Sequence, residues 1–174
     1  VTASYELRGG GVVGYHVGAY DRRLPLIIDP VLVYAGYFGG DLTDTIAGVA
    51  RDSRGRIYVA GTTQSSEVPV TDSGVQGGQR GSSDGFVIVL DPARPADSQV
   101  IYATYFGGAG ADQVTGIGID AQSRIFLTGV TQSTDFPMSA FPRQGTGAGG
   151  WDTFFTVIDS TREGGAGLVY STYM

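Results

Sequence analysis

The feature that most constrains this chain is an internal repeat with a period of 68 residues. The stretch VLVYAGYFGG at residues 31–40 returns as VIYATYFGG at 100–108 and, in part, as LVYSTYM at 168–174. Such a period predicts that each copy is one supersecondary unit that packs against its neighbours. Residues that recur at this spacing include Tyr34, Tyr102 and Tyr170, Gly39 and Gly107, Asp44 and Asp112, Asp52 and Asp120, Gly61 and Gly129, Pro69 and Pro137, Asp84 and Asp152, Phe86 and Phe154, and Asp91 and Asp159.

Each repeat contains four short segments with the composition of β-strands. β-Branched and aromatic residues fill these segments, and Gly, Pro, Asp and Ser fill the breaks between them. The chain shows no helical periodicity of useful length. In the two repeats the strands are predicted at 46–52 and 114–120, at 56–62 and 124–130, at 85–91 and 153–159, and at 100–108 and 168–174.

Four short antiparallel strands per repeat are typical of a β-propeller blade. We therefore predict an all-β fold of β-propeller-like four-stranded antiparallel blades, with two full repeats, at 39–106 and 107–174, and an N-terminal β-sheet unit at 1–38. The small residues of the first strand, such as Gly48 and Gly116, suit the crowded axis of a propeller. In the N-terminal unit, strands are predicted at 3–8, 12–20, 24–29 and 31–38.

Composition excludes several kinds of site and partner. The 174 residues include no cysteine, which excludes disulfides, thiolate metal sites and a cysteine nucleophile. The net charge of −6 argues against a nucleic-acid partner, which would need a basic surface. No apolar run is long enough to span a bilayer, so we expect no membrane insertion.

The repeated segments VYAGYFGGDLTDTIAGVARDSRGRIYVAGTTQSSEVP and IYATYFGGAGADQVTGIGIDAQSRIFLTGVTQSTDFP resemble the bacterial SBBP repeat, a family of seven-bladed β-propeller repeats. The resemblance covers residues 31–174, and residues 17–34 resemble the segment that precedes the first repeat in many such proteins. It implies a secreted or surface-exposed protein. It implies no particular reaction, because the family has no assigned one.

Two repeated aspartates are candidate metal ligands. Asp44 and Asp112 lie in the glycine-rich loops GGDLTD and GGAGAD, whose carboxylates and carbonyls would suit a calcium ion. The alternative is structural, with each carboxylate accepting hydrogen bonds from backbone amides of its turn. The structural interpretation is favoured, and no other cofactor is expected.

Other chemistry-bearing residues give weaker hypotheses. The aspartate pairs that include Asp52, Asp84 and Asp91 could act as glycosidase carboxylates, but a residue that returns in every repeat more often serves the repeat itself. His16 is the single histidine, in an alternating strand, and the chain has no GxSxG nucleophile motif. We therefore expect no enzyme activity.

Trp151 is the most informative difference between the repeats. It is the single tryptophan and stands where the first repeat has Ser83. An exposed aromatic ring on a loop could stack on a sugar, which would make Trp151 a ligand-binding residue. The favoured alternative is that Trp151 packs between blades or at a subunit contact.

Two or three sheets cannot close a propeller, which needs at least four blades. The chain therefore belongs to a longer propeller, to a closed ring of copies or to an open filament. We expect a non-catalytic secreted or cell-surface structural module that acts through self-association, or a segment of a larger surface protein. The alternative is a carbohydrate-binding module of the lectin type, and a polysaccharide-active enzyme is the weakest reading.

Overall fold

The N-terminal part of the chain contains a β-hairpin. A computed structural model describes residues 3–8, 12–21, 23 and 36–174. Strand β1 (Ala3–Arg8) pairs antiparallel with β2 (Val12–Val17), which ends three residues before the predicted boundary. The predicted strand at 24–29 lies outside the described residues, as does Tyr34, and residues 36–38 are in no strand.

Residues 36–174 form a separate compact unit of two four-stranded antiparallel sheets. In each sheet, strands that follow one another in the chain are hydrogen-bonded neighbours. This arrangement confirms the all-β fold of propeller-like blades. The first blade contains β3 (Asp44–Arg51), β4 (Ile57–Thr63), β5 (Asp84–Leu90) and β6 (Val100–Phe106), and the second blade contains β7 (Asp112–Ile119), β8 (Ile125–Thr131), β9 (Asp152–Ile158) and β10 (Leu168–Tyr173).

The helical content of the described residues is small. A short 3-10 helix precedes the last strand of each blade, at 96–98 and 164–167. Within the described part of the chain, no helix has the length and apolar character needed to cross a membrane.

The two blades share the same strand register, including one irregularity. In the first blade Ile46 pairs with Gly61 and Gly48 pairs with Ala60, so one residue of β3 is left without a partner. The same shift occurs between Val114 and Gly116 in β7. Such bulges bend a strand and increase its twist, and here they recur at equivalent positions of the repeat.

Side-chain alternation gives each blade two faces. In the first blade, the far face is the face that packs against the second blade. The equivalent face of the second blade is also called the far face, and the opposite face of each blade is called the near face. The far face is defined by Tyr58, Val87 and Tyr102 in the first blade and by Phe126, Phe155 and Tyr170 in the second. The near face is defined by Ile46, Val49 and Val59 in the first blade and by Val114, Ile117 and Leu127 in the second.

The blades pack where β7 lies over the glycines of the first blade. A Cβ atom at Gly48 would lie 2.9 Å from Cγ2 of Ile117, and one at Gly85 would lie 2.7 Å from Cγ2 of Val114. The two glycines therefore leave room for β-branched side chains of the next blade. Phe106 adds an edge-to-face contact with Phe136, at 5.1 Å between ring centroids.

Candidate interface at the blade ends

The first strand of the near face is covered in the second blade and exposed in the first. Val114 is 5% exposed because the first blade covers it, whereas Ile46 at the equivalent position is 65% exposed. Val49 is 60% exposed, and its equivalent, Ile117, packs against the core. The residue types are similar in both blades, so the difference comes from the cover that the first blade gives to β7.

The far face shows the reverse difference. Tyr58, Val87 and Tyr102 of the first blade are buried against the second blade. Their equivalents Phe126, Phe155 and Tyr170 are only half-buried. These three rings form a cluster, with centroids 6.1 Å apart between Phe126 and Phe155 and 6.2 Å apart between Phe155 and Tyr170. The second blade thus presents an aromatic surface at the open end.

Polar contacts also join the two blades. Residues Ser83 and Ala111 form a parallel β-bridge, which links the entrance of β5 to the entrance of β7. Four backbone amides donate across this junction: Asp112 to the carbonyl of Ser83 (2.8 Å), Ser82 to the carbonyl of Gly110 (3.2 Å), Val114 to the hydroxyl of Thr62 (3.1 Å) and Gly164 to the carbonyl of Ser73 (3.0 Å).

The second blade replaces three of these junction residues by larger or more apolar ones. Val130 stands in place of Thr62, Phe141 in place of Ser73 and Trp151 in place of Ser83. Phe141 is 90% exposed and Trp151 is 49% exposed. Trp151 therefore occupies the repeat position at which one blade pairs with the next, and whether it contacts a blade or a ligand stays a prediction.

The carboxylate of Asp112 is enclosed by donors from its own turn and from the end of β8. Its Oδ2 accepts hydrogen bonds from the amide of Gly108 (2.7 Å) and the hydroxyl of Ser133 (2.8 Å), and its Oδ1 accepts one from the hydroxyl of Thr131. Asp112 is fully buried. These contacts are those of the structural interpretation, in which the aspartate stabilises the turn before the innermost strand.

Asp44 makes only part of the same network. Its Oδ2 accepts hydrogen bonds from the amide of Gly40 (2.9 Å) and the hydroxyl of Ser65 (3.2 Å). Its Oδ1 is buried without a partner among the described residues, because the hydroxyl of Thr63 points to the carbonyl of Ser65 instead. No group of three metal-ligating side chains occurs in the described ranges, and the calcium hypothesis for Asp44 and Asp112 stays a prediction.

Gly107 lies between two fully buried carboxylates, an arrangement that the sequence did not reveal. A Cβ atom there would lie 2.7 Å from Oδ2 of Asp112 and 2.8 Å from Oδ1 of Asp84, so only glycine fits. Gln76 bridges this site, since its amide group donates to Asp84 (2.7 Å) and accepts from the amide of Gly107 (3.1 Å). The signal that could have found Gln76 is its recurrence as Gln144.

Burial dominates the acidity of Asp84. Desolvation raises the pKa of this carboxyl above its ordinary value, and the nearby charge of Asp112 adds to the increase. Backbone amides of Arg80 and Gly81 oppose the shift by donating to the carboxylate. This junction between blades therefore holds two acidic groups away from water.

Asp52 and Asp120 close the turn between the first two strands of each blade. Burial alone would raise the pKa of Asp52, but hydrogen bonds and charge from Arg56 outweigh it and hold the pKa below its ordinary value. The same balance, with Arg124 as the partner, lowers the pKa of Asp120. Each pair has an Nε–Oδ2 distance of 2.6 Å. Asp52 also accepts a hydrogen bond from Ser123 of the second blade (3.3 Å).

The remaining candidate residues lie apart from the junction. Asp91 and Asp159 accept hydrogen bonds from the loop that follows them, and Thr161 lowers the pKa of Asp159 most, through its hydroxyl. Phe86 and Phe154 are buried in the third strand of each blade. His16 is exposed on β2, opposite Ser4.

Comparison with protein families agrees with this geometry. The family model SBBP, described as a beta-propeller repeat, matches residues 33–67 and 101–137. The first match includes β3 and β4, and the second runs from β6 of the first blade through β7 and β8 of the second. No curated protein matches the chain. The two matched segments show that this chain carries two repeats of the SBBP β-propeller family.

Proposed function

We propose that this chain is a non-catalytic structural module that associates with copies of itself through the two open faces of its blade pair. The observation that carries the proposal is that each end exposes one half of the contact made inside the molecule. The near face of the first blade corresponds to the side of the junction that β7 supplies. The far face of the second blade corresponds to the side that β3, β4 and β5 supply.

Hydrophobic burial supplies a reason for these faces to associate. Ile46 and Val49 expose most of their surface, and the cluster of Phe126, Phe155 and Tyr170 is only half-buried. Contiguous apolar surface of this kind marks interaction sites in soluble proteins. The equivalent positions of the internal junction are buried, so a second copy would remove the same kinds of side chain from water.

Contact between a near face and a far face is heterologous, because the two surfaces differ. Such contacts produce a ring if the rotation closes and a filament if it does not. The proposal includes an extracellular or cell-surface location, which rests on the resemblance to SBBP proteins. It also includes the absence of catalysis, which is supported by the way the repeated carboxylates of Asp52 and Asp112 are occupied by donors of their own turns. A longer propeller, with blades from the same chain, is the competing arrangement.

The fit between copies differs from the internal junction where the third strand of one blade meets the first strand of the next. Thr153 stands where the first blade has Gly85, and Ile46 stands where the second blade has Val114. A Cβ atom at Gly85 already comes within 2.7 Å of Val114, so Thr153 and Ile46 would collide at the internal spacing. A second copy must sit slightly farther away there. We therefore expect association that is weaker than the internal contact and depends on protein concentration.

The test is light scattering with variants that block one face each. Ile46→Arg places a charge on the near face, Trp151→Arg places one beside the far face, and Ala93→Arg is a matched control on an exposed loop. The wild type and the control should exceed 18.1 kDa increasingly with concentration, whereas each face variant alone should remain at 18.1 kDa.

Mixing the two face variants makes the test specific for a heterologous contact. Ile46→Arg keeps an intact far face and Trp151→Arg keeps an intact near face, so their mixture should form dimers and nothing larger. Thermal unfolding curves of the separate variants verify that each one folds. A wild-type mass of 18.1 kDa at every concentration would contradict self-association and favour blades supplied by a longer chain.

A further inference from the structure

A cavity of about 290 Å³ lies at the inner end of the junction between the blades. Its wall belongs to the far face of the first blade, where the loop before β3, the end of β4 and the segment just before β5 meet. The second blade contributes the start of β7. The residues that line it are Thr43, Thr45, Thr62, Gln64, Ser83, Gln113 and Val114.

Strand register explains why these side chains share one wall. Thr45 lies opposite Thr62 in the pairing of β3 with β4. The next row beyond the strand ends carries Thr43, Gln64 and Ser83, and the amide of Gln64 donates to the carbonyl of Thr43 (2.9 Å). Two rows of short polar side chains thus face Val114 of the second blade.

Several polar groups of this wall are available to a ligand. The hydroxyl of Thr62 accepts the amide of Val114, and the hydroxyl of Thr45 makes a long contact with the carbonyl of Thr62 (3.4 Å). The side chains of Thr43, Gln64 and Ser83 donate to and accept from no described residue. Hydroxyl and carboxamide groups are both donors and acceptors, so the wall can match a ligand that is both as well.

The chemistry of the lining favours an uncharged ligand. No charged side chain lines the cavity, so a bound ion would lose its hydration without gaining a counter-ion.

The volume of the cavity lies near the lower end of the range for small-molecule sites, about 300–1,000 Å³. A single ring with several hydroxyl groups meets both conditions. We propose that this cavity binds one ring of an uncharged carbohydrate.

The second repeat supplies a related wall with an aromatic residue. Ala111, Gln132 and Trp151 stand where the first repeat has Thr43, Gln64 and Ser83. Trp151 combines an apolar ring with one polar N–H group, which would change the preference of the equivalent cavity at a further junction. The cavity described here lies within one chain. It therefore does not depend on self-association, and either proposal can fail without the other.

The test is two-dimensional NMR titration of the chain with the methyl glycosides of glucose, galactose, mannose and N-acetylglucosamine. At least one probe should shift the backbone amides of Thr45, Gln64 and Gln113 saturably. Methyl glucuronide, which carries a carboxylate, should bind at least about tenfold more weakly, since an unpaired charge is costly to desolvate.

Two glutamine variants provide the control for position. Gln64→Ala removes a carboxamide from the cavity and should weaken binding about fivefold, the effect of one lost hydrogen bond. Gln122→Ala removes the same group from an exposed turn and should leave binding unchanged. Absence of saturable shifts with all four glycosides, shifts confined to Trp151 and its neighbours, or equal affinity of Gln64→Ala and wild type would each overturn the proposal.

Discussion

The first and second blades have the same strands, register and bulge, yet their burial differs. Ile46 and Val114 are equivalent apolar residues on the first strand, but Ile46 is 65% exposed and Val114 is 5% exposed. The composition of a blade therefore does not determine its burial, which depends on whether a neighbouring blade is present. Within residues 36–174 each blade packs against one other blade.

The blades differ more in sequence on the far face than on the near face. The apolar near-face residues of the first strand change by one methyl group, as between Val114 and Ile46. Far-face residues change from Val87 to Phe155 and from Ser83 to Trp151. The enlarged far face cannot reproduce the internal contact unchanged. Variants at equivalent positions of the two blades can therefore separate what a residue contributes within its sheet from what the junction adds.

The largest expected effect is the difference between Tyr102→Ala and Tyr170→Ala. Tyr102 is buried between the blades, and its truncation should lower the free energy of unfolding by about 3–5 kcal/mol by leaving a cavity. Tyr170 is half-buried at the open end and should cost markedly less. Urea unfolding of both variants measures the difference. Equal losses would contradict the assignment of the far face.

The next effect concerns the turn aspartates. Asp112→Ala leaves the buried amide of Gly108 and the hydroxyl of Ser133 without an acceptor, and should cost at least about 2 kcal/mol. Asp44→Ala should cost less, because Asp44 is partly exposed and its Oδ1 accepts no hydrogen bond from a described residue. Thermal or urea unfolding would decide. A larger loss for Asp44→Ala would indicate an additional partner of that carboxylate, such as the calcium ion considered above.

A smaller effect is expected from exchanging the residues at equivalent far-face positions of the third strands, Gly85 and Thr153. Gly85→Thr should destabilise the chain by about 1–3 kcal/mol through overpacking against Val114. Thr153→Gly should instead strengthen association between copies, because it removes the collision expected with Ile46. Unfolding of the first variant and light scattering of the second measure these outcomes. Unchanged association of Thr153→Gly would show that Thr153 lies outside the contact.

The smallest effect is a difference in acid sensitivity between Asp52→Asn and Asp120→Asn. Both carboxyls have a lowered pKa in the folded state, so their stabilisation is complete above the unfolded pKa and is lost as pH falls through the folded one. Asp52 also binds Ser123 of the second blade, so its replacement should remove more of the pH dependence. Unfolding curves between neutral and acidic pH test this. A wild-type advantage over Asp52→Asn that does not change with pH would argue against it.

Most of the fold could be predicted from the 68-residue period, because each strand found in one repeat predicts an equivalent strand in the other. The predicted strands at 46–52 and 114–120 begin two residues later than β3 and β7 do. Polar residues such as Asp44 and Gln113 conceal the starts of these strands, since their backbones join the ladder although their side chains do not suit a core.

The candidate site was less accessible from the sequence. The repeat indicated Gly107 and Asp112, but their contact with Asp84 and Gln76 depends on how one blade meets the next. The exposure of Ile46 could not be predicted either, because Val114 stands at the equivalent position of the repeat and is buried. The periodicity of the sequence predicts the four-stranded sheet that each repeat forms. The contacts between units depend on three-dimensional packing.

The most direct test of the account is oxidative cross-linking of a chain that has no native cysteine. Inside the molecule, Ile117 packs over Gly48, and the equivalent pair between copies is Val49 of one copy and Gly116 of the next. The double variant Val49→Cys with Gly116→Cys should give a ladder of disulfide-linked multimers that reduction returns to 18.1 kDa. Gly48→Cys with Ile117→Cys should close within one chain and serves as the positive control. If the control forms its disulfide but the Val49→Cys, Gly116→Cys chain stays at 18.1 kDa under oxidation, the result would contradict association through the blade ends.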